Sequence, residues 1–199
     1  HPEQLLSTLL VYQIEIAVGN FDLILPHLPT LKSARFVVGT GAHEFGEGSA
    51  TILIAKRLAE KYPGYDVRPL YHGLAEIAGA TVDYSHHGPG KGRRVWLQGN
   101  ETRFYLRDIR LREVCAGSLP PDLVLRGHTH VLVTEVINLD ILGGMFESRI
   151  IVCPPLCGMS DYARQATRSA GGLSVGAVLI EIVDGKPRPP VFISESFDI

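Results

Sequence analysis

Several things are scarce in this chain. Among its 199 residues there is one tryptophan and only three cysteines, Cys115, Cys153 and Cys157. A count so sparse and odd excludes a disulfide scaffold and points to a reducing compartment, so a cytoplasmic location is expected. Cys153 and Cys157 flank Pro154-Pro155 with no further ligand close by, so they read as plain thiols and not as a zinc knuckle. Neither sign of charge dominates, with 19 Lys and Arg against 21 Asp and Glu. That balance excludes a surface built as a general polyanion binder. No apolar run reaches the roughly 18 residues of a membrane helix, so no membrane partner is expected. The opening stretch lacks a basic segment and carries Glu3 and Glu15, so it does not read as a signal peptide.

What remains is ordinary globular composition, 45% hydrophobic and 20% charged, which excludes disorder for most of the chain. A domain of this size buries roughly 70% of the surface its unfolded chain exposes, without cross-links. A single domain over residues 1–199 is expected.

Apolar positions set the elements. Leu5, Leu6, Leu9, Leu10, Ile14 and Ala17 recur at helical spacing behind Pro2, predicting a helix over 2–18 stopped at Gly19. Residues 34–38 read as a short buried strand, and 49–61 as a helix capped by Ser49. From Val67 to Ser85 the pattern is strand-like, with a hairpin turn at Gly79. Residues 101–114 predict a charged, exposed helix with Phe104, Ile109 and Leu111 turned inward. Strands follow at 122–125, 131–137, 149–152, 173–183 and 190–194, with a turn at Asp184-Gly185. Helix and strand alternate early and strands dominate late. The simplest architecture is therefore α/β, a layered sandwich with sheets inside and helices outside.

The chain is rich in histidine. Of eight, five sit in three short Gly-rich stretches, each behind a predicted strand: His43, His86 with His87, and His128 with His130. Loops at the carboxyl ends of strands are where open α/β sheets bind ligands. His128-Thr129-His130 follows a strand through Gly127. If it stays extended, both imidazoles point one way and reach one metal centre. His86 and His87 would point to opposite sides of an extended chain, leaving one of them as ligand. In Gly39-Thr40-Gly41-Ala42-His43, Thr40 offers a neutral oxygen and His43 a group that titrates near physiological pH. The basic run Lys91, Arg93, Arg94 suits a phosphate or a nucleic-acid backbone, or is simply a solvated loop.

Taken together, Gly39-Thr40-x-x-His43, His86-His87-Gly88 and Gly127-His128-Thr129-His130 resemble the later motifs of the calcineurin-like metallophosphoesterases, in their phage and prophage form. The resemblance spans about residues 30–155. It implies a β-sandwich flanked by helices and two divalent metal ions, Mn²⁺ or alternatively Fe or Zn²⁺. It implies a phosphorylated substrate, nucleic acid among the candidates, cleaved as a phosphatase, phosphodiesterase or nuclease would by a hydroxide held between the ions. His86, His128 and His130 would bind metal, with Thr40 as a weaker ligand and His87 as the fallback. His43 would be the catalytic acid. His87, Lys91, Arg93 and Arg94 would meet the substrate phosphate. The family also uses an early Asp-x-His and a Gly-Asp-x-x-Asp, and neither occurs here. The expectation is therefore that the first strands are missing, the sequence being the C-terminal part of a longer chain. Two rival expectations stand beside this one: a non-catalytic binding or structural module on the same fold, and a mononuclear zinc hydrolase using the histidines alone.

Overall fold

The computed structural model describes residues 9–39, 50–90, 97–141, 143–156 and 175–195. Contacts divide the chain into two compact units, His1–Tyr71 and His72–Ile199. Among the described residues the fold is mixed α/β, with three α-helices and both parallel and antiparallel strand pairs.

In the first unit, helix α1 (Leu10–Ile24) runs straight through Gly19, where a stop was expected. Burial overrides the glycine's weak helix propensity: Ile14, Val18 and Leu25 are buried with Leu58 of helix α2 (Ala50–Lys61), and Phe21 packs on them. The chain turns only at the short 3₁₀ segment Leu25–His27, which contains Pro26. Strands β1 (Ser33–Val37) and β2 (Asp66–Leu70) pair in parallel beside the helices. Phe21 meets Phe36 of β1 edge-on, at 5.0 Å between ring centroids. Asp22 joins the helices by contacts of 2.6 Å to both Lys61 and Tyr62. An apolar cavity of about 560 Å³ lies among Phe21, Ile24, Leu28, Phe36 and Ile54.

The second unit is built on five strands: β3 (His72–Ile77), β4 (Ala80–Ser85), β5 (Leu123–Arg126), β6 (Val133–Ile141) and β7 (Gly144–Val152). Their order is β3-β4-β5-β7-β6. The middle strands β4, β5 and β7 are parallel, and the edges β3 and β6 are antiparallel hairpin partners. The β3–β4 turn is the two-residue Ala78-Gly79, both at positive φ. That geometry matches the twist of a hairpin. Helix α3 (Gln98–Cys115) covers one face, where Leu106 meets Val124 and Ile150. Its inward stripe is Thr102, Leu106 and Arg110, all buried, while Phe104 and Leu111 are 61% and 58% exposed. Ile109 packs on this cluster as expected, and the exposure of Phe104 and Leu111 corrects the rest of the expected inward face. Residues 104 and 111, seven apart, share a face, and it is the one opposite the 102–106–110 stripe. Arg110 is held by the main-chain oxygens of Ile137 and Phe146, and burial pulls its pKa below the usual guanidinium value.

The other sheet face, with Val82, Leu123 and Ile151, receives Val178, Ile180 and Ile182 from the late strands. There, strand β8 (Val175–Leu179) pairs with strand β11 (Val191–Glu195). Strands β9 (Ile182–Val183) and β10 (Lys186–Pro187) form a small hairpin about Asp184-Gly185. The strand expected over 173–183 is thus interrupted before Ile182.

Candidate functional site

The register of the parallel strands brings three chain ends level. Ser85 pairs with Arg126, and Arg126 pairs with Val152. The residues that follow therefore leave the sheet along one edge. The ladder continues one step beyond the strands: the Gly127 amide donates to the His86 oxygen at 3.2 Å, and the Cys153 amide to the Arg126 oxygen at 2.7 Å. The loops holding His86-His87 and His128-Thr129-His130 are thereby tied side by side.

Three imidazoles meet at that edge. His86 Nε2 and His128 Nδ1 are 3.0 Å apart. The ring centroids of His86 and His128 are separated by 4.9 Å, His87 and His128 by 5.2 Å, and His86 and His87 by 5.3 Å. His87 thus joins the cluster and does not point away. The alternation expected of neighbours holds only in an extended chain, and the chain bends at His86, just past the end of β4.

His128 and His130 are not extended either. Their φ angles are 71° and 55°, in the region that favours glycine. The Thr129 amide donates to the Gly127 oxygen at 2.9 Å, so His128 is the centre of the rarer, positive-φ form of the γ-turn. Such conformations cost about 1–3 kcal/mol each and concentrate where function requires them. Thr129 is buried between them, while His128 and His130 are both exposed. The expectation that both imidazoles point one way from an extended segment is therefore replaced by a tight turn that carries His128 to His86. Thr40, His43, Lys91, Arg93 and Arg94 lie outside the described residues.

Beneath the cluster runs a line of polar side chains that the sequence reading did not pick out. Arg126, the last residue of β5, has a side chain only 2% exposed. Its Nε donates to the Tyr105 hydroxyl at 3.0 Å, and its Nη1 to the Leu125 oxygen at 2.9 Å. Asp83 Oδ1 lies 2.5 Å from Nη1, but that oxygen makes no aligned hydrogen bond, so the contact is charge on charge. Asp83 Oδ2 meets His72 Nε2 at 3.1 Å. The available signal was an arginine in Leu-Val-Leu-Arg-Gly-His, at a position whose period-2 neighbour Val124 is core.

Cys153, one strand over, is a free thiol whose pKa is pushed up by burial. A groove of about 480 Å³ opens between Gly88-Pro89-Gly90 and the face of α3 carrying Phe104, Tyr105 and Arg107. Among the described residues, no group of three or more His, Cys, Asp or Glu side chains is arranged to hold a metal ion as it stands. The ring centroids of His86, His87 and His128 are 4.9–5.3 Å apart, and the nitrogens of His86 and His128 are aimed at each other.

No protein-family model matches the chain, and no curated protein matches it. Among solved structures, the NMR structure of the Thermotoga maritima protein TM1076 is similar at 18% identity, over 70% of this chain and 58% of that one. The TM-score is 0.26, too low to establish a shared fold.

Proposed function

We propose that the chain acts as a divalent-metal-dependent phosphoester hydrolase on a helix-flanked β-sandwich, with its histidines as metal ligands. The carrying observation is the 3.0 Å approach of His86 Nε2 to His128 Nδ1 on loops tied at one sheet edge. Two imidazole nitrogens bound to one tetrahedral ion at about 2.0–2.1 Å stand about 3.3–3.4 Å apart. The pair, at hydrogen-bond distance, therefore needs to open by only a few tenths of an ångström to share an ion in place of a proton. An all-imidazole donor set suits Zn²⁺ or Fe, and Mn²⁺ would need carboxylates beside the histidines. A cation held there would supply Lewis acidity and would lower the pKa of water in reach of the phosphorus. The chain's own part is to hold His86 and His128 in register; the resemblance of the sequence motifs would add phosphate contacts from Lys91, Arg93 and Arg94 and a proton from His43.

One observation favours a single ion over two. A bridging carboxylate is the usual means of holding a pair of cations, and the carboxylate that meets Arg126, that of Asp83, is committed to Arg126 and His72. Three rings spaced 4.9–5.3 Å apart match three imidazoles around one tetrahedral ion, whose ring centres lie about 5 Å apart given the bond lengths above. A mononuclear zinc site is thus the second reading. Calorimetric titration with Zn²⁺ and Mn²⁺, read with hydrolysis of bis(4-nitrophenyl) phosphate, tests both. Binding that His86→Ala and His128→Ala abolish supports the site, and the stoichiometry chooses between one ion and two. Equal binding by wild type and both variants would sink it.

A further inference from the structure

We infer that Arg126 is the positioning residue of the imidazole cluster, holding one half through its side chain and the other through its main chain. The inference rests on the metal-site reading above. On the main-chain side, Arg126 leads directly into Gly127-His128, and its oxygen and the next amide carry the last two ladder bonds, the oxygen accepting from the Cys153 amide and the Gly127 amide donating to the His86 oxygen. On the side-chain side, the loop after His87 lies on the arginine stem. A Cβ added at Gly88 would stand 2.7 Å from Arg126 Cβ and 3.0 Å from its Cγ, so only glycine lets the loop down this far.

The guanidinium itself is fixed from three directions. Tyr105 of α3 accepts from Nε at 3.0 Å, and its ring centre lies 5.5 Å from the guanidinium carbon. Asp83 of β4 supplies a carboxylate at 2.5 Å and a main-chain oxygen at 3.3 Å. Leu125 supplies its own oxygen at 2.9 Å. A planar fork so held cannot rotate, and the stem above it becomes a fixed post.

A buried ion pair as a whole is a weak device for stability, because desolvation offsets most of the attraction and a packed apolar pair does as well, although removing one partner alone is costly. Its use is geometric. At 2% exposure the guanidinium does not reach a substrate, so Arg126 acts through the histidines and not on the reacting atoms. Side chains behind metal ligands typically control affinity by 10–100-fold.

Cobalt is the probe, because its visible bands report ligand number and geometry. Tyr105→Phe removes one anchor without touching the loop, Arg126→Met keeps the stem and removes the fork, and Gly88→Ala lifts the loop. Each is titrated with Co²⁺ alongside its thermal midpoint. The metal-free chain is read by the imidazole ¹⁵N shifts of the His86–His128 hydrogen bond. The expected result is a loss of Co²⁺ affinity of about 10-fold or more in each variant, with a changed band envelope. The ¹⁵N signature should weaken, while the midpoint of Tyr105→Phe, which leaves the Arg126–Asp83 pair intact, stays near that of wild type. Wild-type affinity and spectrum in Tyr105→Phe and Arg126→Met would overturn the inference and leave the metal site standing. Affinity that falls only in step with the midpoint would overturn it equally. A wild-type chain that shows no cobalt bands would overturn the metal site, and this inference with it.

Discussion

His86 Nε2 and His128 Nδ1 face each other across 3.0 Å, though 42 positions separate them in the chain. Two facing imidazole nitrogens hold one proton or one cation between them. The contact exists because the β4 and β5 ends are level, and because a γ-turn at His128 swings its ring across the gap.

That turn yields the first prediction. At an ordinary exposed loop position, glycine and alanine differ little, and alanine often stabilises. At φ 71° the order should reverse. His128→Gly should exceed His128→Ala in stability by about 1–2 kcal/mol, the cost of a Cβ in left-handed backbone. Urea unfolding midpoints check this. Both variants should lose whatever metal binding the wild type has. Equal midpoints would show that the turn is not strained.

A second test uses the hairpin turn Ala78-Gly79. Ala78 sits at φ 48°, a conformation that asparagine tolerates better. Ala78→Asn should stabilise the chain by about 0.5–1 kcal/mol, part of the left-handed penalty. No change, or a lower midpoint, would mean that the turn relaxes without cost.

The cysteines should separate by chemistry. Burial pushes the Cys153 thiol up, while Cys115 is exposed. Iodoacetamide at mildly alkaline pH should modify Cys115 well before Cys153, with peptide mass analysis assigning the sites. The raised thiol also has a sign in stability. The native state keeps its proton longer than the unfolded chain, so stability should fall as pH rises past the ordinary thiol value of about 8.5. Cys153→Ala should flatten that alkaline slope.

At the acid end the first unit supplies the test. Lys61 and Tyr62 hold Asp22 below the usual carboxylate range, and Arg35 and Arg68 do the same for Asp66. The folded state therefore keeps both charges at a pH where the unfolded chain has lost them. The stabilisation is present above about 3.9, the ordinary aspartate value, and is lost as pH falls through the lowered native values. The double variant Asp22→Asn, Asp66→Asn should flatten the acid limb of stability against pH. A limb unchanged in slope would show these exposed pairs to be screened out by solvent.

Much of the strand and helix framework was legible because it rests on local pattern: helix α2, the β4 and β5 runs, and the two Gly-containing hairpin turns. The misreadings have specific causes. Gly19 signals a helix end only when nothing beyond it is buried, and Phe21 and Leu25 are packed in the core. The first half of β7, Gly-Met-Phe-Glu-Ser, has little β-branched character and owes its conformation to pairing with β6. The inward face of α3 was hidden because two of its buried positions, Thr102 and Arg110, are polar. At the site, the clustering of histidines was visible, but their aim was not. Whether neighbouring rings diverge or converge depends on where the chain stops being extended. That is decided by the tie between Gly127 and His86, which no local pattern encodes. Arg126 was overlooked because a search for ligands passes over a cation.

The positive φ angles at 128 and 130 narrow what a codon there can become. The residues most at home in such backbone, glycine aside, are asparagine, aspartate and histidine. Those three also carry donors for a cation, and a single base change turns a histidine codon into that of either of the others. The loop can therefore drift from nitrogen toward oxygen donors, and so from one metal preference toward another, without its main chain being redrawn. Its route to an ordinary apolar residue is penalised at the first step.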